Sequence, residues 1–92
     1  MARFILGQVC MTRGMNEKIA DDIGFAKFVC ESIERHAKGD WGDICKEDWE
    51  ENHLSLKQGF RLFSSYTNGK IRIWIITEAD RSYTTILFPE EY

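Results

Sequence analysis

Ninety-two residues make one domain, long enough to bury roughly 60 to 65% of the unfolded surface without metal or disulfide staples. A composition that is 43% hydrophobic and 29% charged, with six Phe, three Trp and three Tyr, excludes a disordered chain. The net charge of −3 and pI near 5.3 remove the bulk attraction to phosphate that an electrostatic nucleic-acid binder needs.

Residues 4–11 (FILGQVCM) are apolar enough for a first strand, with Gly7 marking a bulge or a close backbone approach. Residues 12–14 read as a break, after which Asn16 can cap a helix. Ile19, Ile23, Ala26, Cys30, Ile33 and Ala37 recur at steps of four and three, the stripe of an amphipathic helix. A single straight helix would leave Phe28 on the far side. Gly24 is therefore expected to divide a short helical turn from a second helix, residues 25–38, whose face is Phe25, Phe28, Val29, Ser32, Ile33 and His36. Gly39 closes that helix from the C′ position.

Residues 39–43 (GDWGD) form a tight turn, followed by a short helix over residues 44–52 for which Asp43 is the candidate cap. Six acidic residues stand against one lysine within residues 40–51, either as a solvated helix start favoured by the dipole or as an acidic docking surface. Residues 54–59 lead as a linker into a sheet.

Residues 60–66 (FRLFSSY) and 71–77 (IRIWIIT) read as strands joined by Thr67-Asn68-Gly69-Lys70. With Asn-Gly as a type I′ loop, Tyr66 faces Ile71, Ser64 faces Ile73, Leu62 faces Ile75 and Phe60 faces Thr77, while Phe63 and Trp74 pair on the opposite face. The β-branched and aromatic run over residues 71–77 is that of an interior strand. If Ala79-Asp80-Arg81-Ser82 is the next loop, Glu78 faces Tyr83, Thr77 faces Thr84, Ile75 faces Ile86 and Ile73 faces Phe88. A slip by one residue would turn Ile86 and Phe88 outward. Pro89, lacking a backbone donor, ends that strand or lies at an edge. The expected architecture is α+β: a single domain over residues 1–92, with an antiparallel three- to four-stranded sheet made of a C-terminal β-meander plus an N-terminal strand, packed against one layer of helices.

Cys10, Cys30 and Cys45 are odd in number, far apart and free of a CxxC spacing, so they read as reduced, mostly buried thiols. No apolar run is long enough to span a bilayer and the opening MARFILG is too short for a signal peptide, which makes the expectation a cytoplasmic protein without membrane contact. His36 and His53 lack metal-ligand spacing, and the serines lack a G-x-S-x-G context. No metal and no cofactor is expected.

Polar residues beyond the needs of a turn concentrate in residues 39–43 and 77–85. The expected sheet brings Thr77 and Thr84 together beside Glu78, Asp80 and Arg81, and a helix on that face would bring His36, Asp40 and Trp41 near. This set, His36, Asp40, Trp41, Glu78, Asp80, Arg81 and Thr84, is the candidate ligand-binding corner. Carboxylates can serve as acid and base, and the guanidinium can clamp an anion. Phe63, Trp74, Ile76 and Leu87 are the candidate interface, an apolar second face for a homodimer or partner. Arg61, Lys70 and Arg72 border that face as a basic strip, but without an aromatic RNP pattern nucleic acid is disfavoured.

The segments His36-Ala37-Lys38-Gly39-Asp40-Trp41-Gly42-Asp43, Arg61-Leu62-Phe63-Ser64-Ser65-Tyr66 and residues 74–92, with the motifs GDWG and ITEADRSxTTIL, resemble a family of small bacterial proteins frequent on plasmids and other mobile elements. Its members are sometimes labelled plasmid-related or a restriction-system subunit. The resemblance covers nearly the whole chain and implies a shared fold and a mobile-element context, with no activity to transfer. The strongly charged residues 46–52 depart from the family's milder pattern. Three readings follow. The first is a cytosolic binding or interaction module, for an unknown protein or small anionic ligand, whose polar pocket joins the GDWG turn to the EADRS loop. The second is a small hydrolase using Glu78 or Asp80 with Arg81. The third is an inhibitor that offers its acidic surface to a host defence nuclease.

Overall fold

Apolar alternation and burial agree on where the strands lie in the computed structural model, which describes residues 2–92. Met1, the first residue of the opening segment, lies outside the described residues. The strands are β1 (Gln8–Met11), β2 (Leu62–Asn68), β3 (Ile71–Thr77) and β4 (Tyr83–Leu87), in the spatial order β1-β4-β3-β2. β2, β3 and β4 form the expected antiparallel meander. β1 instead runs parallel to β4, pairing Gln8 with Tyr83 and Met11 with Ile86, so the sheet is mixed rather than antiparallel. Three helices and two strands separate β1 from β4 in the chain. No hairpin therefore dictates the direction of their pairing.

The second hairpin has the expected register, Thr77 against Thr84 and Ile75 against Ile86. In the first, the two-residue loop is Gly69-Lys70 rather than Asn68-Gly69, and Asn68 pairs with Ile71. Gly69 has φ +64° and Lys70 does not share a positive φ, the order a type II′ turn requires. Pairs therefore move by two residues: Tyr66 faces Ile73, Ser64 faces Ile75 and Leu62 faces Thr77. Because side chains alternate with period two, a shift of two leaves every residue on its expected face.

The helices are α1 (Arg13–Asp21), α2 (Ile23–Ala37) and α3 (Lys46–Gln58), with a 3-10 turn at Pro89–Glu91. α1 starts earlier than the sequence implied, since Thr12 rather than Asn16 accepts the amide hydrogen of Met15. The break before α2 falls at Asp22, whose carboxylate caps Phe25 at 3.0 Å, and not at Gly24. α3 begins after Cys45 without a side-chain cap and runs through the stretch expected as a linker. Its buried residues are Asn52 and Ser55, so its inward seam is polar and leaves no hydropathy stripe.

Met15 from α1 with Phe25 and Val29 from α2 bury against Tyr66, Ile73, Ile75 and Ile86 of the sheet. Phe88 joins them by stacking on Phe25 at 5.8 Å. None of the described helices is long and apolar enough to cross a membrane.

Candidate functional site

His36 ends the buried face of α2 and is itself wholly buried. Its Nδ1 lies 2.5 Å from Ser64 Oγ and its Nε2 2.9 Å from Thr77 Oγ1. Thr77 Oγ1 is 2.7 Å from Thr84 Oγ1, and Thr84 donates to the Leu6 carbonyl at 2.7 Å. The carbonyl fixes the direction of the whole line. Thr84 has one hydroxyl proton and gives it to Leu6, so it must accept from Thr77. Thr77 must then accept from His36 Nε2–H, which leaves Nδ1 to accept from Ser64. The imidazole is thus neutral with its proton on Nε2, and burial, aided by the positive charge of Arg81, lowers its pKa to about 3.

Ser64 and His36 resemble a nucleophile–base pair in distance alone. Both are sealed from solvent, so no substrate reaches them.

Three positions of the GDWG turn, Asp40, Trp41 and Gly42, have a structural reason. Asp40 takes the Arg35 guanidinium at 2.7 and 3.2 Å, which holds its carboxyl below the usual range, and Tyr66 donates to the Asp40 carbonyl at 2.6 Å. Trp41 is wholly buried, edge-on to His36 at 5.6 Å and stacked with Phe4 at 6.1 Å. At Gly42, φ is +75° and a Cβ would collide with the Ser65 carbonyl and the Tyr66 ring. That close approach lets Ser65 donate to the Trp41 carbonyl at 3.1 Å and accept from Asp43 at 2.6 Å. Two residues along, the Asn52 amide of α3 accepts from Phe63 N–H at 3.0 Å and donates to its carbonyl at 2.6 Å. The turn and α3 thereby close the outer edge of β2 at Phe63 and Ser65.

In the EADRS loop, Arg81 holds φ +61°, an uncommon conformation for a residue with a Cβ. Its guanidinium donates to the carbonyls of Phe60 at 2.6 Å, Glu78 at 3.0 Å, Ala79 at 3.2 Å and Ser55 at 3.0 Å. Ser55 lies in the last turn of α3, where its carbonyl already accepts from the Gly59 N–H at 2.8 Å, so Arg81 ties the loop to the C-terminal turn of the helix through that carbonyl's second lone pair. Partial burial lowers the Arg81 pKa. Asp80 accepts from Ser82 N–H at 3.0 Å and Oγ–H at 2.6 Å, bonds that hold its carboxyl below the ordinary range. Glu78 reaches Arg61 at 3.7 Å.

The seven candidate residues therefore divide. His36, Trp41 and Thr84 meet in the interior; Asp40 and Arg81 fasten turns; Glu78 and Asp80 border a shallow depression with Ala79, Ser82 and Tyr83, which no residue of the GDWG turn lines. Among the described residues no trio of His, Cys, Asp and Glu is placed to hold a metal. The three thiols are free, but Cys30 and Cys45 are exposed and Cys10 is half-buried, against the expected burial.

The second face of the sheet carries a groove of about 260 Å³ lined by Arg61, Leu62, Phe63, Trp74, Ile76 and Tyr92. Ile76 and Leu87, expected at the interface, are buried already within one chain, while Phe63 and Trp74 stand edge-to-face at 5.2 Å as partly open walls. Tyr92 packs on Trp74 at 5.8 Å and accepts from Arg61 at 3.4 Å. Sequence reasoning passed over Ser64, Asn52 and Tyr92. Ser64 was signalled by its place on the core face between two apolar neighbours; the other two carried no spacing signal. Comparison with protein-family profiles, with characterised proteins and with solved structures finds no match to this chain.

Proposed function

We propose that the chain is a non-catalytic binding module whose recognition surface is the second face of the sheet, centred on Trp74, Tyr92 and Arg61. The carrying observation is the half-open aromatic groove on the sheet face opposite the α1 and α2 core. Trp, Tyr and Arg are the side chains that most often dominate binding energy when they surround a pocket. Ile76 provides an apolar floor between Phe63 and Trp74, and Arg61, half exposed, supplies one positive charge at the rim. The complementary ligand is a protein segment with an aromatic or aliphatic anchor beside a carboxylate. Under this reading the GDWG turn and the EADRS loop position the sheet rather than form the ligand pocket. The resemblance to mobile-element proteins supports looking for the partner in the host cell.

The test is selection of displayed peptides against the wild-type chain, repeated with Trp74→Ser and Arg61→Ala. Enrichment of anchor-plus-acid sequences that both variants lose supports the groove. Enrichment that both variants retain removes it. A second reading has one observation behind it: Glu47, Asp48, Glu50 and Glu51 all stand exposed on α3, as an inhibitor of a basic nuclease groove would need. Reversing these four charges should then abolish capture of a host nuclease while the unfolding midpoint stays unchanged; undiminished capture rejects it. The hydrolytic reading gains no support, because Arg81 donates to four carbonyls and Asp80 is held by Ser82.

A further inference from the structure

The sheet has two edges, and the chain guards one of them over its N-terminal half. On β2 the outward backbone groups of Phe63 and Ser65 are all taken, by the Asn52 amide and by Trp41 and Asp43. On β1 the amides of Gln8 and Thr12 turn inward to the Ser82 and Ile86 carbonyls. A parallel ladder alternates, so the N–H and C=O of Val9 and Met11 point outward from the last strand of the sheet. Their side chains are 42% and 39% exposed. β1, QVCM, is short at four residues but has neither the charge nor the proline that commonly guard an edge.

We propose that β1 pairs with β1 of a second copy of this chain, antiparallel about a two-fold axis through Cys10, so that two four-stranded sheets become one. The self-complementarity of the edge argues for this occupant. The two outward residues sit symmetrically about Cys10, so a two-fold places Val9 opposite the partner's Met11 and Met11 opposite the partner's Val9. Each outward N–H then meets a C=O, and two exposed apolar side chains cover each other across the strands. An uncharged strand also meets its own copy without like charges facing, although each chain carries −3. On the other face the two Cys10 residues form the central non-hydrogen-bonded pair, with Cα atoms about 4.5 Å apart, inside the range a disulfide spans.

That last consequence supplies the probe. In the double variant Cys30→Ser, Cys45→Ser, Cys10 is the remaining thiol. Diamide should convert two Cys10 thiols to one disulfide, the two hydrogens passing to the diazene, and give a reducible dimer. Without oxidant, sedimentation equilibrium should read twice the 10.8 kDa chain mass. Val9→Lys, at an exposed position, should return the mass to one chain and abolish the cross-link, while Trp74→Ser should leave both unchanged. Met11→Lys serves as the second edge variant, should Val9→Lys lose its near-UV circular dichroism. A single-chain mass at every concentration overturns the proposal, including the case where the edge captures an extended foreign peptide. A dimer indifferent to both lysine variants, or lost in Trp74→Ser, overturns it too.

Discussion

Because Thr84 hands its proton to the Leu6 carbonyl, protonating His36 cannot be accommodated by reversing the line of hydrogen bonds; the added charge stays in the interior beside Arg81. In the unfolded chain the same imidazole titrates near 6.5, against about 3 in the fold. The unfolded state thus binds the proton first as pH falls. The stability tied to a neutral His36 is complete above pH 6.5 and is lost progressively towards pH 3, about 5 kcal/mol in all. Urea midpoints measured across that window should fall with acid in the wild type. Much of the fall should vanish in His36→Phe, measured against that variant's own neutral midpoint. Arg81 makes a second case at this scale. Lysine keeps the charge but cannot fork to four carbonyls, so Arg81→Lys should cost about 1–3 kcal/mol of unfolding free energy. Added phosphate or sulfate should raise the wild-type midpoint no more than that of Arg81→Lys, since both gain equally from salt exclusion, whereas an anion-clamping arginine would make the wild type gain more.

At the scale of elements, α3 and the GDWG turn act together as the guard of β2. Asn52 is the point to test, because its amide both accepts from and donates to Phe63 while almost wholly buried. Asn52→Asp keeps the acceptor but sets an ionised oxygen against the Phe63 carbonyl, a loss of about 2 kcal/mol or more at neutral pH. Protonating that carboxyl restores a donor. The midpoint gap to wild type should therefore narrow as pH falls below the raised pKa of the buried acid, and a gap independent of pH would contradict the edge-guard role. This guard is also where the sequence was hardest to read. The meander was legible because β-branched runs and loop lengths set its faces, and even the two-residue slip at Gly69-Lys70 could not move a side chain to the wrong side. Thr77, Thr84 and His36 were legible together for the same reason. An amide pairing with a strand edge, by contrast, leaves no periodic trace, so α3 looked like a linker beyond Asn52. The parallel direction of β1 rests on contacts with β4 across most of the chain and has no local signal.

For the molecule as a whole, cover is distributed unequally. One face of the sheet lies under α1 and α2, β2 is closed by the GDWG turn and α3, and on the second face Ile76 and Leu87 are buried beneath little more than side chains. Tyr92 is the most exposed part of that cover, at 71%, yet it rests on Trp74 and takes the hydrogen bond of Arg61. Its removal uncovers apolar floor without touching the helix-backed core. Tyr92→Ala should accordingly lower stability by under about 1 kcal/mol while it raises the binding of a hydrophobic dye such as ANS to the folded chain. Pairing the substitution with Trp74→Ser should bring dye binding back down, since the groove then loses its largest wall. If dye binding stays unchanged in Tyr92→Ala, the aromatic groove is too shallow to hold an anchor side chain, and the binding reading of the second face falls.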